Sequence, residues 1–316
     1  MKDSGRSSGM PEPLPDWKEG AVVWKWALPV HSYIFGITFF AVAMYGVYNL
    51  GKLWQTQMRK SRNYFICITL LVCLFGLSRA IVLLADPYST GRPLQLTPGY
   101  GLLLFSLGYP CLTSGFFLMN WSLVEVTKLQ LLPSVIHKRK VLAFVLLVHF
   151  VVVVTFDTIF VFFPSTHILL FICRSFFVLW GILLFGGFII AARRIRQQVK
   201  QTLRTITQIE STSRNNNTVD SSTENNTSHA ITIATADDNN RFQQARTRKV
   251  MKISRRAAAT GLLICCTQTY ALWEFYVFYN DDVIPKAWPW WIYQTIFRCI
   301  EVFMVSQMFL IIQPRK

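Results

Sequence analysis

The sequence is poor in charge. Asp, Glu, Lys and Arg make up 15% of its 316 residues, against about 25% in an ordinary soluble domain. Acidic residues are the scarcest, with 16 Asp and Glu against 32 Lys and Arg, a formal net charge of +16. All seven cysteines (Cys67, Cys73, Cys111, Cys173, Cys265, Cys266, Cys299) fall inside apolar stretches, which excludes a disulfide framework in the loops. The first 20 residues lack the apolar run of a cleavable signal peptide, so the first long apolar stretch is expected to act as its own insertion signal. There is no Gly-rich phosphate loop, no nucleophile elbow, no HExxH and no CxxC spacing. The expectation is a protein that is not an enzyme and that uses no cofactor or metal.

Apolar residues are plentiful: 52% of the chain is hydrophobic, with 25 Phe. A soluble fold would have to hide several stretches of about 20 residues in one core, which excludes it. The basic surplus alone would fit nucleic acid. The Lys and Arg residues stand between apolar stretches, however, as membrane topogenesis requires, so the expected partner is the lipid bilayer and not nucleic acid.

At about 20 residues per crossing, the spans are Trp26–Leu53, Asn63–Leu84, Tyr100–Val124, Val141–Phe163, Ile168–Ala192, Ala257–Tyr279 and Pro289–Ile312. In lipid the backbone must satisfy its own hydrogen bonds, and these stretches are too long for tilted strands. The predicted fold class is therefore an all-α membrane protein, a bundle of seven transmembrane helices. Lys52, Arg59, Lys60 and Arg62 follow the first span; Lys128, Lys138, Arg139 and Lys140 follow the third; the loop after the fifth holds many more. Basic loops stay cytosolic, which puts the N-terminus outside and the C-terminus inside. Trp24, Trp26, Trp288, Trp290 and Trp291 then fall at outer ends, as an aromatic belt would. The organisation that follows is a short polar outer tail (1–25), helices one to five (26–192), a basic and partly disordered cytosolic loop (193–256), helices six and seven (257–312) and a short cytosolic tail (313–316).

Within that loop, Ile195, Val199, Leu203, Ile206 and Ile209 form a helical stripe, so the fifth helix is expected to continue into the cytoplasm. Ser211–Asn240 is rich in Asn, Ser and Thr and reads as disordered. The membrane-proximal ends carry Arg193, Arg194, Arg196, Lys252, Arg255 and Arg256. Those ends can dock a cytosolic protein or anionic lipid headgroups, although a basic loop flank also follows from topology alone. With the loop inside, the sequons at Asn216, Asn225 and Asn226 are expected to be unused.

Six ionisable residues lie inside the spans: Arg79, Asp157, Arg174, Glu274, Arg298 and Glu301. By residue count they occupy one layer whose outermost members are roughly 8–14 Å below the outer surface. Glu301 is three residues after Arg298 and shares its face. A charge facing lipid near the bilayer centre costs about 2.5–3.5 kcal/mol on insertion scales, so all six are expected to point inward and pair. Two readings remain open: a polar cavity open outwards that exchanges a ligand or ion with the internal pairs, or a closed network that fixes helix register. The even balance of charge favours the second. Pro110, midway along the third span, frees the carbonyl of Ser106 and predicts a kink. His31 and His149 are isolated from other metal-ligating residues, and each is expected to be a satisfied core histidine.

Seven helices with a long loop between the fifth and sixth invite comparison with G-protein-coupled receptors. The third span lacks an acidic-Arg-Tyr triplet and the seventh lacks Asn-Pro-x-x-Tyr, which argues against the rhodopsin-like class. A closer match lies in His31-Ser-Tyr-Ile-Phe-Gly, SRAIVLLADPY (Ser78–Tyr88), YPCLTSGFFLM (Tyr109–Met119), LQLLP (Leu129–Pro133) with VLAFVLLVHF (Val141–Phe150), and CRSFF (Cys173–Phe177). In these segments the chain resembles the seven-helix domain of the proline-rich transmembrane proteins, types three and four. The resemblance covers Trp26 to Ile190 and weakens in the last two spans. Those proteins carry a long Pro-rich outer region, where this chain has Pro11–Pro15. The resemblance implies fold and topology and adds no catalytic residues. The functional expectation is a receptor-like or adaptor membrane protein; the alternative is an ion- or proton-coupled transporter or channel that uses the intramembrane charges.

Overall fold

The computed structural model describes residues 15–55, 62–90, 94, 98–126, 139–163, 167–216, 226–281 and 284–312. The helices are α1 (Trp17–Trp24), α2 (Ala27–Gln55), α3 (Arg62–Ala85), α4 (Pro98–Val126), α5 (Arg139–Phe162), α6 (His167–Asn216), α7 (Asn226–Asp281) and α8 (Ala287–Ile312), with a 3₁₀ turn at Pro87–Ser89. Among the described residues there is no strand. Among the described residues, six helices are long and apolar enough to cross a bilayer: α2, α3, α4, α5, α6 and α8. α7 is more polar, and its polar side chains are used in packing. Thr260 and Gln268 are buried, and Thr260 Oγ1 accepts a hydrogen bond from Gln307 Nε2 of α8 at 2.8 Å.

Successive helices pack on one another from α2 to α8, and α8 closes back on α2, α3 and α4. In α4, 78% of the apolar window is buried, against 22% in α5, so α4 is central and α5 peripheral. The outward faces carry Ile34, Ile37 and Phe40 on α2, Phe144, Leu147 and Val151 on α5, and Ile182 and Leu183 on α6, all exposed. In water such faces would be a liability; against acyl chains they are the required surface. The tightest crossing is α2 on α3. A Cβ built on Gly76 would stand 2.8 Å from the carbonyl oxygen of Phe39 and 3.0 Å from the amide nitrogen of Ala43. The absent side chain lets the two backbones touch, as small residues do in membrane interfaces.

The structure departs from the sequence reading in two places. Residues 1–25 are not uniformly a polar tail, because Trp17–Trp24 is helical and packs against α8. Trp24 is 2% exposed; its ring lies 5.8 Å from that of Trp17 and 5.5 Å from that of Trp290. Trp26 and Trp288 remain on the surface as belt residues, whereas Trp24 and Trp290 are buried. Nor is Ser211–Asn240 wholly disordered: α6 runs to Asn216 and α7 starts at Asn226, while 217–225 lie outside the described residues. Composition predicts the behaviour of an isolated segment. Here each end extends a helix already packed in the bundle, and propagation costs far less than nucleation.

Candidate functional site

The centre of the bundle is built on α3, α4 and α8. Arg79 of α3 is 1% exposed. Its Nε donates to Glu301 Oε1 at 3.0 Å, its Nη2 lies 2.8 Å from the same oxygen, and its Nη1 donates to the Phe105 carbonyl oxygen at 2.7 Å. Arg298, one turn before Glu301 on α8, donates from Nη1 to the other carboxylate oxygen. One carboxylate thus bridges two guanidinium groups. Aromatic rings cover them: Arg79 lies 4.5 Å over Phe105 and 4.7 Å over Tyr109, and Arg298 lies 5.3 Å from both Phe105 and Phe297. Cation–π attraction strengthens when both groups are removed from water.

Gly108 makes room for this stack. A Cβ there would be 2.8 Å from Arg79 Cζ and 3.0 Å from its Nε. The guanidinium is therefore laid directly on the α4 backbone between Phe105 and Tyr109.

A second chain of polar contacts runs from Arg298 along α8 towards its N-terminal end, to Tyr88, His31 and Thr295. Arg298 hydrogen-bonds the Tyr88 hydroxyl, Tyr88 Oη is 2.8 Å from His31 Nε2, and His31 Nδ1 is 3.0 Å from Thr295 Oγ1. Thr295 gives its only proton to the Trp291 carbonyl oxygen at 2.9 Å. Directions follow from donor counting. Thr295 must accept from His31 Nδ1–H, so His31 Nε2 accepts from Tyr88 O–H and the Tyr88 oxygen accepts from Arg298. Tyr88 is buried and sits at φ 55°, ψ 33°, a left-handed conformation rare for a bulky residue. Such strain persists where surrounding contacts over-determine it. Here those contacts are His31, Arg298 and the Trp290 ring at 5.0 Å.

The other predicted members are placed as follows. Asp157 of α5 accepts a hydrogen bond from the Ser106 hydroxyl of α4 and lies within the field of Arg174 of α6. Arg174 packs 5.4 Å from the Tyr109 ring, the same ring that carries Arg79. Both Asp157 and Arg174 are buried. Glu274 does not share that burial: it is half-buried on α7 and takes a hydrogen bond from Tyr270, one turn earlier on its own helix. Pro110 is buried mid-way along α4, which remains helical on both sides. Thr113 donates to the Tyr109 carbonyl oxygen at 2.8 Å and accepts from His149 Nε2 at 2.9 Å. His149 stacks on Trp180 at 4.5 Å. Arg193, Arg194 and Arg196 on α6 and Lys252, Arg255 and Arg256 on α7 are all exposed. Among the described residues no group of His, Cys, Asp and Glu is arranged to hold a metal ion.

Sequence reasoning missed Tyr88, Gln294 and Gly108. The Asp-Pro-Tyr run after α3 marks a turn and nothing more, and Gln294 is readable only as the residue one turn before Arg298.

These contacts draw on α2, α3, α4, α5, α6 and α8, so they characterise the whole membrane domain. The family model described as the proline-rich transmembrane protein 3 domain matches residues 2–315. The chain belongs to this family. No curated protein and no solved structure matches it. The family match extends over α7 and α8, where the motif resemblance was weakest, and so takes in Arg298 and Glu301. As a member of a transmembrane family with several membrane-crossing helices, the chain is an integral, multi-pass membrane protein in contact with the lipid bilayer.

Proposed function

We propose that the chain is a receptor-like or adaptor membrane protein, without enzymatic activity, whose seven helices run from α2 to α8 with the N-terminus outside. In this reading α7 is the span that hydropathy alone leaves out, its polar side chains being turned into the bundle against α8. The observation that carries the proposal is the continuity of α6 from His167 to Asn216. One helix holds Arg174 in the buried layer and Arg193, Arg194 and Arg196 exposed beyond it. The separation is about 28 Å at 1.5 Å per residue, enough to carry the helix from a layer inside the bilayer past its opposite face. A shift at the outer layer is thereby delivered to the cytosolic basic surface without an intervening hinge.

That surface, completed by Lys252, Arg255 and Arg256 on α7, suits a cytosolic protein with an acidic face or anionic lipid headgroups, each cation adding about 1 kcal/mol near such lipids. Coupled transport is the weaker reading, because Glu301 is already saturated by two guanidinium groups.

Two measurements on the full chain in cells test this. In glycosidase-sensitive gel mobility, a sequon engineered near Ser8 is glycosylated while Asn216, Asn225 and Asn226 are not; use of the native sequons inverts the topology and removes the proposal. Replacing the six basic residues by Gln should abolish proximity labelling of neighbours recruited to the cytosolic face, with surface expression kept. An unchanged labelling pattern sinks the docking role.

A further inference from the structure

The charge of the central triad is not closed. Arg79 and Arg298 share the single carboxylate of Glu301, which leaves one formal positive charge over. Asp157 does not supply the balance, since it faces Arg174 and Ser106. The groups that act electrostatically on Arg298 are Glu301, Tyr88 and Tyr109. Donors are also in excess. Arg298 is 0% exposed and, among the described residues, its Nε–H has no acceptor. Its other contacts are Glu301, the Tyr88 hydroxyl and a long bond of 3.4 Å to Gln294 Oε1. Phe105 and Phe297 cover its flat surface, so the unused donor points along the plane of the group. Buried donors are rarely left bare, and a buried charge more rarely still. A water would satisfy the donor and leave the charge, whereas a small anion satisfies both.

We propose that Arg298 binds a small inorganic anion, chloride in an outer aqueous medium, as the second counter-charge of the Arg79–Glu301–Arg298 triad. Arg298 is joined to the turn at Tyr88, whose ring packs on Trp290. The anion neutralises the guanidinium edge that Glu301 does not reach, and it draws α8 and the turn at Tyr88 together around one charge. The proposal is independent of the receptor-like reading, because it concerns the stability of the bundle and not what docks inside.

The test uses the full chain purified in detergent, with thermal unfolding followed as chloride is exchanged for gluconate at constant ionic strength. The midpoint should rise by a constant increment per decade of chloride once the site fills, as for any ligand that binds only the folded state. Bromide should substitute and gluconate should not. Gln294→Glu places a carboxylate one turn before Arg298 and should flatten the chloride dependence while raising the midpoint in gluconate. Glu301→Gln should act oppositely and lower the chloride concentration needed for half the effect. Equal midpoints for the unaltered protein in chloride and gluconate would overturn the proposal and assign the Nε–H to water. A chloride slope that survives Gln294→Glu would place the anion elsewhere and overturn it equally. Should either variant fail to fold, the halide–gluconate comparison on the unaltered chain still decides.

Discussion

Gly108→Ala is the smallest change that reaches the central triad. The added methyl group would lie 2.8 Å from Arg79 Cζ, 3.0 Å from Nε and 3.1 Å from Nη2. Arg79 has nowhere to yield, because its guanidinium is bonded to Glu301 and to the Phe105 carbonyl oxygen and is flanked by the Phe105 and Tyr109 rings. Overpacking a filled core costs about 1–3 kcal/mol. If the guanidinium is also pushed off its carboxylate, the ceiling is a broken buried pair at about 3–5 kcal/mol. An intermediate loss of about 2–4 kcal/mol corresponds to a fall of about 5–10 °C in the unfolding midpoint. The assay is thermal exposure of the buried thiols Cys111 and Cys173, which are free and react with a maleimide dye only as the bundle opens. Gly51→Ala is the control, since a Cβ there meets nothing within 4 Å; it should be neutral or slightly stabilising, Ala being the better helix former. In a Glu301→Gln background the cost of Gly108→Ala should shrink, because the two substitutions damage one interaction. A Gly108→Ala protein as stable as the Gly51→Ala control would refute the claim that Arg79 is fixed against α4.

Two further substitutions separate the roles of other side chains. Asp157→Asn keeps the shape and removes the charge facing Arg174, and it should cost at least twice as much as Ser106→Ala, which removes one hydrogen bond of about 1 kcal/mol; equal losses in the same thiol assay would show that the hydrogen bond, not the charge, matters. Replacing both Trp17 and Trp24 by Ala should free α1 from Trp290, so that limited proteolysis of the intact protein cuts within residues 17–24 while α2 to α8 stay protected; unchanged resistance would mean that α1 is held by something other than its tryptophans.

Much of the bundle is legible from length and polarity, because lipid leaves the backbone only one economical conformation and the apolar stretches set where it occurs. The triad is partly legible too. Arg298 and Glu301 share a face by spacing, and Arg79 enters at similar depth. Glu274 shows the limit of that argument: counting residues from a helix end gives depth but not the direction in which a side chain points, and Tyr270, four residues earlier, holds it on α7. Trp24 and Trp26 are two positions apart and look alike in sequence, yet one is buried and the other is 72% exposed. Their difference arises only when α1 folds back onto α8. Tyr88 was invisible as a site residue because its role depends on a left-handed turn joining partners from α2 and α8, a tertiary fact with no local pattern behind it.

The Arg79–Glu301 contact spans 222 residues of sequence, and this separation has a meaning in time. Translation at about 5–20 residues per second delivers Glu301 roughly 11–44 s after Arg79. For that interval α3 resides in or beside the membrane with an orphan cation, at a cost of about 2.5–3.5 kcal/mol on insertion scales. The interval ends only when α8 arrives, so α8 is the helix that relieves α3. Assembly of this bundle is therefore a race between the ribosome and whatever removes unpaired charges from nascent membrane chains. A chain interrupted before α8 exposes that cation to the cell as a mark of incompleteness.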